Sequence, residues 1–215
     1  MRVQVKVCGL KYSANIASIK QLPVDYMGFI FYPGSKRYIG DTDPEVTRFL
    51  PEHIRKIGVF VNEDIEKVKA LAVEFQLDGL QLHGNETTAY CRKLRALNYI
   101  VIKSFRMVDD FDFSICKAYE EGCHYFLFDT HTKKFGGSGK KFNWNLLKAY
   151  ELDVPFFLSG GIDESDAGIL RNISHPKFYA VDINSRFEIH PGYKDEKKIS
   201  TFIEQLKSED NANKG

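Results

Sequence analysis

The sequence has little of what marks a metal-binding, membrane or secreted protein. Its four cysteines (Cys8, Cys91, Cys116, Cys123) form no CxxC pair and no regular framework, which favours reduced thiols in a cytosol over disulfides. None of the six histidines joins an HxxxH or HxH set, so no zinc site is expected. No stretch approaches the ~18 consecutive apolar residues of a membrane span. The opening residues, Met1 to Cys8, alternate apolar and polar and lack the apolar core of a signal peptide, so a soluble, cytoplasmic protein is expected. A formal net charge of +1 gives no electrostatic case for nucleic acid or an acidic membrane as partner. No Pro- or Ser-rich linker divides the chain, and no repeat of roughly 20 to 50 residues is present.

What is there is an ordinary globular composition, 43% hydrophobic and 27% charged over 215 residues, enough for one well-buried core. Strand-like runs fall at Val3–Val7, Tyr26–Phe31, Lys56–Val61, Gly79–Leu82, Tyr99–Ser104, Tyr125–Asp129, Pro155–Ser159 and Ala180–Ile183. Between them, segments such as Glu63–Phe75 and Thr87–Leu97 carry apolar residues at three- and four-residue steps, the mark of amphipathic helices. Eight strands alternating with helices imply parallel pairing with right-handed crossovers. The expected fold is an α/β single-domain (β/α)8 TIM barrel over residues 1–207, with an open doubly wound sheet as the alternative. Ser208–Gly215 read as a polar, frayed tail.

Several strands end in chemistry. Asp129 closes the sixth strand, where parallel sheets put their ligands, although a strand-ending Asp also serves as a simple cap. In the first strand, Val3, Val5 and Val7 share one face and Gln4, Lys6 and Cys8 the other. The apolar face belongs under the helices, so Lys6 and Cys8 point into the barrel. A buried ammonium must be paired, and Asp182 on the adjoining eighth strand is the expected partner. A cation beside Cys8 would favour the thiolate; the alternative for Cys8 is a small buried apolar residue. After the second strand, Lys36 and Arg37 sit in a Pro-Gly turn, where a guanidinium would grip a carboxylate at two points or simply face solvent. His83 ends the fourth strand on the same face as Gln81, as a ligand or as a satisfied structural imidazole.

Glycine-rich turns complete the pattern. Gly136-Gly137-Ser138-Gly139-Lys140 lacks the P-loop's first glycine, where Lys134 stands, and its Ser or Thr, where Lys141 stands. A hinged lid is the better expectation there. Gly160-Gly161 after the seventh strand and Asn184-Ser185 after the eighth are what a barrel's phosphate site requires, with bare backbone N–H groups free to approach the oxygens.

Together these residues resemble one known family, the phosphoribosylanthranilate isomerases of tryptophan biosynthesis. The matching pieces are VKVCGL at Val5–Leu10, MGFIFYPGSKRYI at Met27–Ile39, GVFVN at Gly58–Asn62 and LDGLQLHGNE at Leu77–Glu86. LFDT followed by GGSGKKFNW, FFLSGGI at Phe156–Ile162, AVDINS at Ala180–Ser185 and PGYKD at Pro191–Asp195 continue the series in register.

The resemblance implies a cofactor-free, metal-free Amadori rearrangement of a small phosphoribosyl substrate, N-(5-phosphoribosyl)anthranilate, by a monomer or homodimer. It also implies Cys8 as general base, Asp129 as general acid and Arg37 at the anthranilate carboxylate. Gly160, Gly161, Asn184 and Ser185 would hold the phosphate. Arg186 stands where the family usually has glycine, so the ligands after the eighth strand are the least certain part of the match. The related isomerase of histidine biosynthesis has an aspartate in place of Cys8 and a second phosphate site, for which Val61-Asn62-Glu63 offers no glycine pair. A catalytically silent sugar-phosphate sensor would be expected to lack Cys8 or Asp129, and both are present.

Overall fold

Eight short apolar runs become eight parallel strands because each is flanked by segments that break the extended backbone and return it to the same end. The computed structural model describes residues 3–130 and 141–208. Its strands are β1 (Gln4–Cys8), β2 (Tyr26–Ile30), β3 (Arg55–Phe60), β4 (Gly79–Leu82), β5 (Ile100–Met107), β6 (Tyr125–Thr130), β7 (Phe156–Leu158) and β8 (Phe178–Ile183). They pair in sequence order, and β1 pairs with both β2 and β8, which closes the barrel.

The helices are α1 (Ser13–Ile19), α2 (Glu45–Arg48), α3 (Ile65–Glu74), α4 (Thr88–Arg95), α5 (Ser114–Lys117), α6 (Ala167–Arg171) and α7 (Glu196–Lys207). The two clearest helical patterns are realised slightly shorter than expected. Asp64 caps α3 by accepting from the N–H groups of Glu66 and Lys67, and Thr87 caps α4 by accepting from Tyr90. Elsewhere the helical layer is thin. α2 lies between Pro44 and Pro51, and the latter bars any continuation. The crossover after β6 contains a 3₁₀ turn over Trp144–Ala149 in place of a helix.

Strand limits fall within a few residues of expectation. β5 runs on to Met107, because Phe105 and Met107 keep the buried outer face alternating while its pairing with β6 extends to Met107 opposite Thr130. A short antiparallel hairpin, β9 (Glu188–His190) with β10 (Tyr193–Lys194), follows β8. Ser208, expected as the first tail residue, is instead held by Arg171, whose Nη1 donates to Ser208 Oγ at 2.6 Å. Residues 209–215 and the expected lid at Gly136–Gly139 lie outside the described residues.

Two cores result. The larger lies between strands and helices and takes in Val5, Val7, Ile16 and Ile19. The smaller fills the barrel, where Tyr26, Ile57, Ile102, Leu127, Phe157 and Ala180 form an apolar plug. Tyr26 and Tyr179 share a hydroxyl hydrogen bond of 2.6 Å at this plug, and Tyr125 stacks on Tyr179 with ring centroids 4.7 Å apart. Nearer the carboxyl ends of the strands the filling turns polar. Lys6 lies opposite Asp182 in the β1–β8 register, and its Nζ meets Asp182 Oδ1 at 2.8 Å with side-chain exposures of 0% and 6%. The pair expected from the parity of the first strand is therefore present. Burial works against the Lys6 ammonium, but Asp182 and Cys8 more than offset it and hold its pKa above the ordinary lysine range.

Removing one partner of a buried pair strands the other's charge. Asp182→Ala is expected to lower unfolding free energy by about 3–5 kcal/mol, read from urea denaturation. A loss below about 1 kcal/mol, the scale of an exposed pair, would show that Lys6 is neutralised elsewhere.

Candidate active site

The polar layer opens into a cleft at the carboxyl ends of the strands. All eight residues singled out from the sequence line it: Cys8, Arg37, His83, Asp129, Gly160, Gly161, Asn184 and Ser185. Cys8 is delivered by the last residue of β1. Its sulfur has room because its neighbour on β2 is Gly28, where a Cβ would lie 2.7 Å from Sγ. Asp129 is delivered by the end of β6 and is about a fifth exposed, at 22%.

A chain of hydrogen bonds crosses the floor of this cleft as far as His83, which lies against Asp129. Ser159 Oγ donates to Asp182 Oδ2 at 3.3 Å, and Lys6 Nζ donates to Asp182 Oδ1 at 2.8 Å and to Gln81 Oε1 at 2.7 Å. The amide Nε2 of Gln81 then lies 3.1 Å from His83 Nδ1, and His83 Nε2 lies 3.3 Å from Asp129 Oδ2. An ammonium only donates, so Gln81 must present its oxygen to Lys6 and its NH2 to His83. His83 Nδ1 therefore accepts and its ring proton sits on Nε2, the nitrogen nearer Asp129. His83 is thus a cleft residue beside Asp129. Gln81, which orients it, was visible in the sequence only as a residue of the same parity.

Two expectations change. The Cys8 thiol was expected to ionise easily beside a cation. Instead burial, with Asp182 on its side, outweighs the attraction of Lys6 and Lys194 and pushes its pKa up. Arg37 does make a two-point grip on a carboxylate, but the carboxylate belongs to the protein. Its Nε and Nη2 donate to Glu188 Oε1 and Oε2 at 2.8 and 2.6 Å. Nη1 and the outer edge of the guanidinium remain for a ligand. Lys36, beside it, is exposed.

Sequence reasoning missed Glu188 and Lys194. The Lys194 ammonium, fully buried, donates to Glu188 Oε1 at 2.8 Å and to Asn184 Oδ1 at 2.7 Å. Burial holds its pKa down to about 8 despite Glu188, while Arg37 and Lys194 hold the Glu188 carboxyl below its ordinary range against burial. A lysine after a Pro-Gly turn reads as solvated, and only its place in the PGYKD motif set it apart.

The glycine turn after β7 lies in the left-handed region that favours glycine. Gly160 and Gly161 have φ of +92° and +69°. A Cβ on Gly160 would lie 2.3 Å from Thr130 Oγ1 and 2.8 Å from Asp129 Oδ1, so only glycine fits against the end of β6. Among the described residues, the backbone N–H groups of Gly160, Gly161 and Ser185 have no hydrogen-bond acceptor. Arg186 is exposed and does not line the cleft.

Comparison with known proteins agrees with this geometry. Residues 5–205 match the family model described as N-(5'phosphoribosyl)anthranilate (PRA) isomerase. The chain is 46% identical over 203 residues to the N-(5'-phosphoribosyl)anthranilate isomerase of Phocaeicola vulgatus, covering 94% of this chain and 97% of that one. The crystal structure of phosphoribosyl anthranilate isomerase from Thermotoga maritima superposes with a TM-score of 0.84 at 35% identity, covering 95% and 98% of the two chains. A structure of the enzyme in complex with reduced 1-(o-carboxyphenylamino)-1-deoxyribulose 5-phosphate gives 0.80 at 32% identity, with the same coverage. With the barrel, the cleft and a match along nearly its whole length, the chain belongs to the phosphoribosylanthranilate isomerase family, isomerases of tryptophan biosynthesis.

Proposed function

We propose that the Amadori rearrangement of N-(5-phosphoribosyl)anthranilate is carried here by Asp129 as general acid and Cys8 as general base. The supporting observation is that the two groups come from separate strands, β6 and β1, and line one cleft. Protonated Asp129 gives its proton to the ring oxygen of the ribofuranose. The C1'–O bond breaks as the nitrogen lone pair forms the protonated Schiff base. Cys8, as thiolate, takes the proton from C2'; the C–H electrons form the C1'=C2' bond, and the C=N pair returns to nitrogen as an enolamine. Tautomerisation moves the hydroxyl proton of C2' to C1' and leaves the ketone. The route needs no cofactor or metal.

Arg37 meets the anthranilate carboxylate with the guanidinium edge that Glu188 does not occupy. Gly160, Gly161, Asn184 and Ser185 hold the phosphate, a role supported by the unused N–H groups of Gly160, Gly161 and Ser185. His83, through its Nε2 proton, orients the Asp129 carboxyl. The family match over residues 5–205 supports one catalytic domain spanning residues 1–207. Cytoplasmic action is part of the same proposal, supported by four cysteines that are all free and buried. No helix of the described residues is long and apolar enough to cross a membrane.

Three outcomes are expected. Cys8→Ala and Asp129→Asn should each reduce turnover by about 10²–10⁴ while still binding a product analogue. The assay is the loss of anthranilate fluorescence, and wild-type turnover in either variant removes that residue from the mechanism. Arg37→Ala should raise KM more than it lowers kcat, as lost ground-state binding does; an unchanged KM counts against its role. Since burial raises the Cys8 pKa, the thiolate fraction grows with pH. In the free enzyme, the thiolate ultraviolet absorbance that wild type shows over Cys8→Ala should rise with pH only near and past the ordinary thiol value of about 8.5. An excess absorbance already present at neutrality would mean that the free enzyme carries a thiolate.

A further inference from the structure

The hairpin after β8 carries a charged cluster that the acid–base steps leave out. Glu188 on β9 and Lys194 on β10 have side-chain exposures of 5% and 0%. Glu188 Oε1 accepts from Arg37 Nε at 2.8 Å, from Lys194 Nζ at 2.8 Å and from the backbone N–H of Gly192 at 3.0 Å. Its Oε2 accepts from Arg37 Nη2 at 2.6 Å. Four donors saturate the carboxylate and leave the guanidinium a single orientation.

Lys194 extends the control to a second side chain. Its Nζ donates to Asn184 Oδ1 at 2.7 Å, so the amide oxygen is the atom turned toward the ammonium and the NH2 group faces away from it. The lysine is itself fixed through its backbone: Asn15 on α1 donates to its carbonyl at 2.9 Å and accepts from its N–H at 2.7 Å. Gly9 makes the convergence possible. Its φ is +77°, and a Cβ there would lie 2.6 Å from Arg37 Cδ and 2.8 Å from Asn184 Oδ1.

Buried ion pairs are weak contributors to stability, since apolar residues of similar volume often do as well. What this cluster does is fix Asn184 directly and Arg37 through Glu188, the side chains assigned above to the phosphate and the carboxylate of the substrate. We propose that Glu188 and Lys194 are positioning residues: Glu188 aims Arg37 at the substrate carboxylate, and Lys194 both anchors Glu188 and turns the Asn184 NH2 toward the phosphate. The proposal rests on the roles of Arg37 and Asn184 given above. Both grips then lose their side-chain freedom before substrate arrives, so binding does not have to supply that ordering.

The test uses Glu188→Gln and Lys194→Met in the full chain, with anthranilate and ribose 5-phosphate as competitive probes of the two ends. Both variants should raise KM for phosphoribosylanthranilate by about tenfold or more, with kcat changing less. Lys194→Met should weaken inhibition by both probes. Glu188→Gln should weaken anthranilate by about tenfold and leave ribose 5-phosphate within about twofold. That selectivity separates positioning from a merely loosened fold, which would weaken both probes alike. Should Lys194→Met fail to fold, the selectivity of Glu188→Gln decides alone, and loss of both probes or of neither overturns the proposal. If Arg37→Ala and Asn184→Ala weaken their own probes while Glu188→Gln and Lys194→Met weaken neither, the proposal falls and the two binding roles stand. If Arg37→Ala leaves anthranilate inhibition intact, the role of Arg37 fails and takes the carboxylate half of the proposal with it.

Discussion

An ammonium in the middle of a closed barrel has to be neutralised, and the way Lys6 is neutralised organises the polar half of this protein. Asp182 supplies the charge and Gln81 the remaining acceptor, so one cation ties β1 to β8 and to β4. Because Lys6 can only donate, the Gln81 amide has one admissible orientation, and through it the tautomer of His83 is set. A buried charge thus determines which ring nitrogen of His83 carries the hydrogen. Cys8 lies beside the same pair. Burial raises its pKa, and Asp182 opposes the help that Lys6 and Lys194 give a thiolate.

The barrel interior is graded along its axis. Tyrosine hydroxyls and stacked rings give way to aliphatic and aromatic filling, then to the Lys6 layer, then to the open cleft. The apolar plug excludes water from beneath the ion pair, which strengthens every interaction in that layer. Reactive groups sit only where the filling has turned polar. This division lets the strands carry stability and the turns at their carboxyl ends carry chemistry, even though several crossovers have shrunk to a single turn.

Much of this was legible in the sequence, because a strand's period of two is hard to disguise. Parity alone put Lys6 and Cys8 inside, and barrel closure then left Asp182 as the partner of Lys6. The strand-ending Cys8, His83 and Asp129 and the Gly160-Gly161 turn could be placed at the rim for the same reason. What could not be read depended on chain segments folding back in ways that local pattern does not encode. Glu188 and Lys194 sit in a polar hairpin whose composition is that of any surface turn, and only its docking on α1 through Asn15 buries them. The Arg37 loop announced a carboxylate partner but not that the partner would be internal. The Cys8 pKa is a balance between burial and three neighbouring charges, and sequence supplies the charges without the depth.

The absent side chain at Gly160 reaches further than local fit. The turn offering its N–H groups to an anion presses directly on the carboxyl of Asp129 and on Thr130. The proposed phosphate cradle and the proposed acid therefore share a wall, and moving one bears on the other. A lineage adapting this barrel to a longer or shorter sugar tail would have to rebuild both at once.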